Sequence, residues 1–137
     1  MNQTDLAVKE LQQALVMNAK LVPVRRALAS IYASRGQVEQ AMEQWKEALA
    51  LDPNDFPTLV SYGLFLLKQQ PGPEAAAYLR KAYQLDPEVP EVVDGYARAL
   101  YLNGNISEAR RIVRKGGDYY KTNPFFEQRR AAMLSGN

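Results

Sequence analysis

The chain has 137 residues, 47% of them hydrophobic, with 17 basic and 15 acidic side chains. This is the size of one domain with ample material for a core, and no apolar run reaches the 18 residues that would suggest a membrane span. Cysteine and histidine are both absent, which excludes disulfides, Ser–His and Cys–His nucleophiles and histidine-based metal sites.

The chain opens on Met1-Asn2-Gln3-Thr4-Asp5, which lacks the basic and apolar regions of a signal peptide; a parent protein could carry such a signal, so the sequence sets no compartment. Apolar residues at helical spacing predict helices over 3–19, 22–35, 38–51, 56–69, 73–85, 90–103, 106–116 and 124–134. In the first, Ala7, Leu11, Ala14 and Leu15 form one stripe; in the third, Val38, Ala41, Met42, Trp45, Ala48 and Leu49 form another. Gly36 and Gly104 stand just past helices, where a left-handed residue would end them. Asp52-Pro53 and Asp86-Pro87 close the third and fifth helices, since a residue before proline is pushed out of the α region. Between the fourth and fifth, Gln70-Pro71-Gly72-Pro73 stops one helix and starts the next. Gly116-Gly117 ends the seventh.

These signals repeat. Leu51-Asp52-Pro53 and Leu85-Asp86-Pro87 are 34 residues apart, and so are Pro90 and Pro124. Ala41, Ala75 and Ala109 form one row at the same step, and Ala29, Gly63 and Ala97 another. Trp45, Leu79 and Val113, and Tyr32, Leu66 and Leu100, supply large apolar residues in phase. A fixed period in this range marks a stacked-repeat architecture. The pattern resembles the tetratricopeptide repeat, a 34-residue pair of antiparallel helices. Repeats fall at 22–55, 56–89 and 90–123, preceded by a half repeat at 1–21 and followed by a terminal helix at 124–137. The third repeat departs from the family at Gly116-Gly117 and Lys121. The resemblance implies one all-α domain, a right-handed superhelical solenoid of antiparallel helix pairs. The half-repeats at the ends lead us to expect an excerpt of a longer array.

Chemistry is sparse. Glu39, Glu43 and Glu47 share one helix face and read as solvated surface charge, and no glycine-rich loop has the spacing of a phosphate cradle. The chain is therefore expected to be no enzyme and to carry no cofactor or metal. The resemblance implies instead a scaffold that binds a protein or peptide in a concave groove. It places on that face Arg26 and Ser30, then Val60, Ser61, Leu64 and Lys68, then Asp94, Arg98 and Tyr101, with Phe125 and Arg129 from the terminal helix. Leu67 and Leu102 could serve either the groove or the packing. The family's dicarboxylate clamp for chaperone tails would fall on Arg26, Ser30, Ser61, Glu91 and Gly95, where only Arg26 is basic, so that clamp is absent. Two alternatives come from the residues themselves. Arg110, Arg111, Arg114 and Lys115, followed by Arg129 and Arg130 and near Tyr119 and Tyr120, offer a basic face to nucleic acid. Apolar residues on the end helices, Leu11, Leu15, Phe126 and Leu134, would drive self-association.

Overall fold

The structure, a computed structural model, describes residues 1–117, 121 and 123–136. Among these residues the regular structure is entirely helical: α1 (Gln3–Met17), α2 (Val22–Ser34), α3 (Val38–Leu51), α4 (Phe56–Gln69), α5 (Pro73–Leu85), α6 (Pro90–Leu102), α7 (Ile106–Lys115) and α8 (Pro124–Ser135). All eight start at the residue that the apolar spacing and the prolines predict, and their ends fall within two residues of the expected ones. α1 stops two residues early because Asn18 turns extended and its side chain accepts the N–H of Lys20 at 3.0 Å.

The helix ends follow from local chemistry. Gly36 and Gly104 have φ of 72° and 85°, the left-handed region that costs a Cβ-bearing residue strain. Asp52 and Asp86 are extended, as the following proline requires. Each also accepts the N–H of the second residue beyond it, Asn54 at 3.0 Å and Glu88 at 3.1 Å. Those side-chain turns reinforce the stop and explain why aspartate recurs before proline. At the start of α4, Asp55 accepts the backbone N–H and the hydroxyl of Thr58, which serves two otherwise orphaned groups of the first turn.

The chain forms two compact units, Met1–Ser61 and Tyr62–Asn137. In the first, α2 packs on α3 and α1 on α2. Leu28, Ala29 and Tyr32 face Ala41, Trp45 and Ala48 in its core, and Trp45 is only 2% exposed. Arg25 ties the turn before α2 to α3: it donates to the Ala19 carbonyl and pairs with Glu47 at 2.7 Å. In the second unit, α6 packs on α5 and α7, and α8 touches α6 and α7. Leu79 is fully buried where α4, α5 and α6 meet. A Cβ built on Gly63 would lie 2.7 Å from its Cγ, and one on Gly95 3.4 Å from its Cδ2. Glycine at position 63 is therefore a requirement of helix approach rather than of backbone conformation, whereas the Gly95 distance to Leu79 is an ordinary contact.

The period also holds in burial. Tyr32, Leu66 and Leu100 are each 7% exposed, and the Ala41, Ala75 and Ala109 row is closed to solvent. The end residues differ from the sequence expectation. Leu11, Leu15, Phe126 and Leu134 are half-buried, and the apolar exposure falls on Leu6, Val16, Met17 and Phe125. The helical phase places the first pair against α2, so the outer face of α1 carries Leu6, Val16 and Met17, while Phe125 is exposed on α8.

Candidate functional site

Each unit carries part of the expected binding face. In the first, Arg26 projects from α2 and its Nη1 donates to both oxygens of Asp55, at 2.9 and 3.1 Å. Since Asp55 also caps α4, the guanidinium is engaged in holding a helix start. Ser30 is exposed, with its hydroxyl donating to the Arg26 carbonyl at 3.1 Å; Val60 and Ser61 are half-buried.

The second unit encloses a cleft of ≈ 530 Å³ walled by α4, α6 and α8. Leu64 and Lys68 line it from α4, Asp94, Arg98 and Leu102 from α6, and Phe125, Phe126 and Arg129 from α8. Leu102 and Phe125 are more than half exposed. Leu67 also borders the cleft but is 3% exposed, so packing claims it. A smaller cleft of ≈ 240 Å³ shares Arg98, Leu102 and Arg129 with the first and adds Tyr101, Ala132 and Met133.

The electrostatics centre on Asp94, which is 3% exposed. Its Oδ2 pairs with Nη1 of Arg129 at 3.1 Å. Burial pushes its carboxyl above the ordinary value, and the charges of Arg129 and Arg98 pull it back only in part. The Arg129 guanidinium also sits over the Phe125 ring, 4.0 Å from its centre, a cation–π contact that fixes both side chains. Arg98 is half-buried and makes no hydrogen bond or ion pair among the described residues. The structure thus gathers Leu64, Lys68, Asp94 and Arg98 around one cavity, sets Tyr101 in the adjoining one, and leaves Arg26, Ser30, Val60 and Ser61 in the other unit.

Comparison with known proteins identifies this architecture. A tetratricopeptide-repeat family model matches residues 66–124, and a second, the TPR repeat, matches residues 29–70. The chain belongs to the tetratricopeptide-repeat family. Its fold is the all-α helical-repeat solenoid. The structure of Pseudomonas aeruginosa pilF superposes with a TM-score of 0.83 at 26% identity, over 96% of this chain and 60% of that one. A tetratricopeptide repeat protein from Parabacteroides merdae gives 0.79 at 21% identity, over 96% of this chain and 51% of that one. PilW, a type IV pilus biogenesis factor, gives 0.69 at 16% identity, over 100% of this chain and 80% of that one. The tetratricopeptide-repeat chain thus spans between half and two thirds of the length of the first two. No curated protein matches it in sequence.

Part of the basic run on α7 of this tetratricopeptide-repeat chain is engaged within the fold. Arg110 turns inward, its Nε donating to the Met133 carbonyl at 3.1 Å. Arg111 is held by Glu108 through bonds of 2.8 and 2.6 Å, and Arg130 pairs with Glu127 at 3.2 Å. Arg114 and Lys115 are exposed. Tyr119 and Tyr120, the aromatic part of the nucleic-acid reading, lie outside the described residues. Among the described residues no helix is long and apolar enough to cross a membrane. Sequence reasoning did not find the roles of Phe126, Ala132 and Met133 as cleft walls, nor the pairings of Arg26 and Asp94. Those pairs join residues 29 and 35 positions apart, off the repeat step, so the period carried no signal for them.

Proposed function

We propose that this chain is a non-enzymatic scaffold that holds a peptide segment of a protein partner in the cleft of its second unit. Tetratricopeptide repeats and their structural neighbours are protein–protein interaction scaffolds and generally non-catalytic. One observation carries the finer reading: Leu102 and Phe125 stay exposed on the walls of a ≈ 530 Å³ cavity, where the half-buried Arg98 lacks an ion pair among the described residues. Apolar walls with a few convergent polar groups are the usual make-up of a binding cleft. In this reading Leu64, Leu102 and Phe125 bury the partner's apolar side chain, while Lys68, Arg98 and Tyr101 set its orientation. Ser30, Val60 and Ser61, which the family resemblance also puts on a binding face, belong to the first unit, where Arg26 holds Asp55 in place.

Selection of peptides from an unbiased display library on the intact chain tests this. Binders should lose affinity at least about tenfold with Leu102→Asp, because a charge would be desolvated in the contact. Leu102 is exposed, so that variant should keep its helical circular dichroism. A combined Arg114→Glu and Lys115→Glu change should leave the same binders unaffected. If the α7 variant loses them and Leu102→Asp keeps them, the cleft reading is wrong.

A further inference from the structure

The two clefts of the second unit share Arg98, Leu102 and Arg129, so two cations border two cavities of unequal size. Of the charges that line them, Arg129 is committed to the buried Asp94 at 3.1 Å and stacked on Phe125. Arg98 and Lys68 have no ion pair among the described residues. Glu91, the other carboxylate of the larger cleft, is exposed and therefore screened by solvent. Asp94 is shielded, and its single negative charge is set against two arginines. The surroundings of Arg98 are thus net positive at close range, with apolar walls on either side.

We propose that the clefts read a sequence pattern: a large apolar side chain in the larger cavity, a carboxylate on Arg98, and a smaller apolar side chain in the cavity formed with Tyr101, Ala132 and Met133. This rests on the peptide-binding reading above and names its specificity. Arg98 supplies a planar donor pair that matches a carboxylate in bidentate geometry. Half-buried as it is, it is worth more than a surface lysine, because apolar walls reduce screening of the bond. Side chains that must face the same wall of an extended segment recur at alternate positions, so the pattern is apolar–x–acidic–x–apolar. The site does not rest on the family's dicarboxylate clamp, whose positions here hold Arg26, Ser30, Ser61, Glu91 and Gly95, only the first of them basic. Specificity also has a repulsive side, since a lysine at the middle position would meet Arg98 head-on.

The test is fluorescence anisotropy on the full chain with three labelled peptides, Phe-Ser-Xaa-Ser-Leu, in which Xaa is Asp, Asn or Lys. The Asp peptide should bind about tenfold tighter than the Asn peptide, as a hydrogen bond to a charged group implies, and the Lys peptide should bind most weakly. Arg98→Gln should bring the Asp peptide down to the level of the Asn peptide on the same variant, so that the preference between them disappears. Ala132→Trp, which fills the smaller cavity, should weaken both. Equal affinity for Asp and Asn in the unmodified chain, or an Asp preference that survives Arg98→Gln, overturns the proposal, as does the absence of binding by all three. If the peptides bind without acidic preference and are lost with Leu102→Asp, the charge pattern falls and the cleft reading stands. If they bind and survive both Leu102→Asp and Ala132→Trp, both readings fall.

Discussion

Asp94 is the residue on which the site's chemistry turns. A carboxylate closed to solvent is stabilised by its pairing with Arg129 but penalised by its loss of water, and the penalty is the larger effect, so its carboxyl is raised above the ordinary 3.8. A group of that kind holds its proton more tightly in the folded chain than in the unfolded one. Between the unfolded and folded values, stability therefore falls as pH rises, and below the unfolded value nothing is lost. Asp94→Asn cannot ionise and should lack this component. Urea midpoints at a series of acidic pH values should show the unmodified chain losing stability relative to Asp94→Asn as pH rises across that interval; parallel curves would mean the carboxyl is not perturbed. Removing the partner is the harsher change. Arg129→Ala leaves a closed-in carboxylate without its cation and should cost about 3 kcal/mol when Asp94 is ionised, less when it is protonated, so its penalty should grow with pH.

At the scale of the helix, close approach is decided by which atom a new methyl would meet. At Gly63 it would meet Leu79 Cγ at 2.7 Å, the branch point of a fully buried side chain. At Gly95 it would meet Leu64 Cδ2 at 2.6 Å, the free end of a half-buried side chain that borders the cleft. Gly63→Ala should therefore destabilise by about 1–3 kcal/mol through overpacking, even though alanine favours a helix by about 1 kcal/mol. Gly95→Ala should be near neutral in stability but should turn Leu64 toward the cleft and weaken peptide binding. Thermal melts of the two variants, set beside their peptide affinities, separate the effects. The same contrast explains what the sequence could reveal. Small residues at Ala29, Gly63 and Ala97 recur because every helix pair makes the same approach, so the elements, their order and most of their ends were legible. Leu67 was not: its position suits the groove face and the packing equally, and only its burial in the folded chain, 3% exposed, decides for packing. Nor were the ion pairs of the site legible. Arg26 to Asp55 and Asp94 to Arg129 each occur once, and a single pair leaves no period to read.

For the molecule as a whole, the repeat architecture implies that stability is shared between neighbours and not pooled. Trp45 is the largest side chain in the core of the first unit and is 2% exposed. Trp45→Ala should cost about 3–5 kcal/mol by lost burial and the cavity left behind. In a single cooperative globule that loss would lower the protection of every buried amide alike. In a chain of repeats it should fall first on the elements that touch the cavity, α2 and α3, where Leu28, Ala29, Ala41 and Ala48 lose a packing partner. The amides of α6 and α7, held by Val92, Val93, Tyr96, Ile112 and Val113 in the second unit, should keep more of their protection. Native-state hydrogen exchange on the variant measures the two sets side by side. A uniform drop across α2, α3, α6 and α7 would show that the chain unfolds as one body and that nearest-neighbour energetics do not describe it. A drop confined to the first unit would leave peptide binding by the second intact in the same variant, so anisotropy with the Phe-Ser-Asp-Ser-Leu peptide provides an independent reading of the same result.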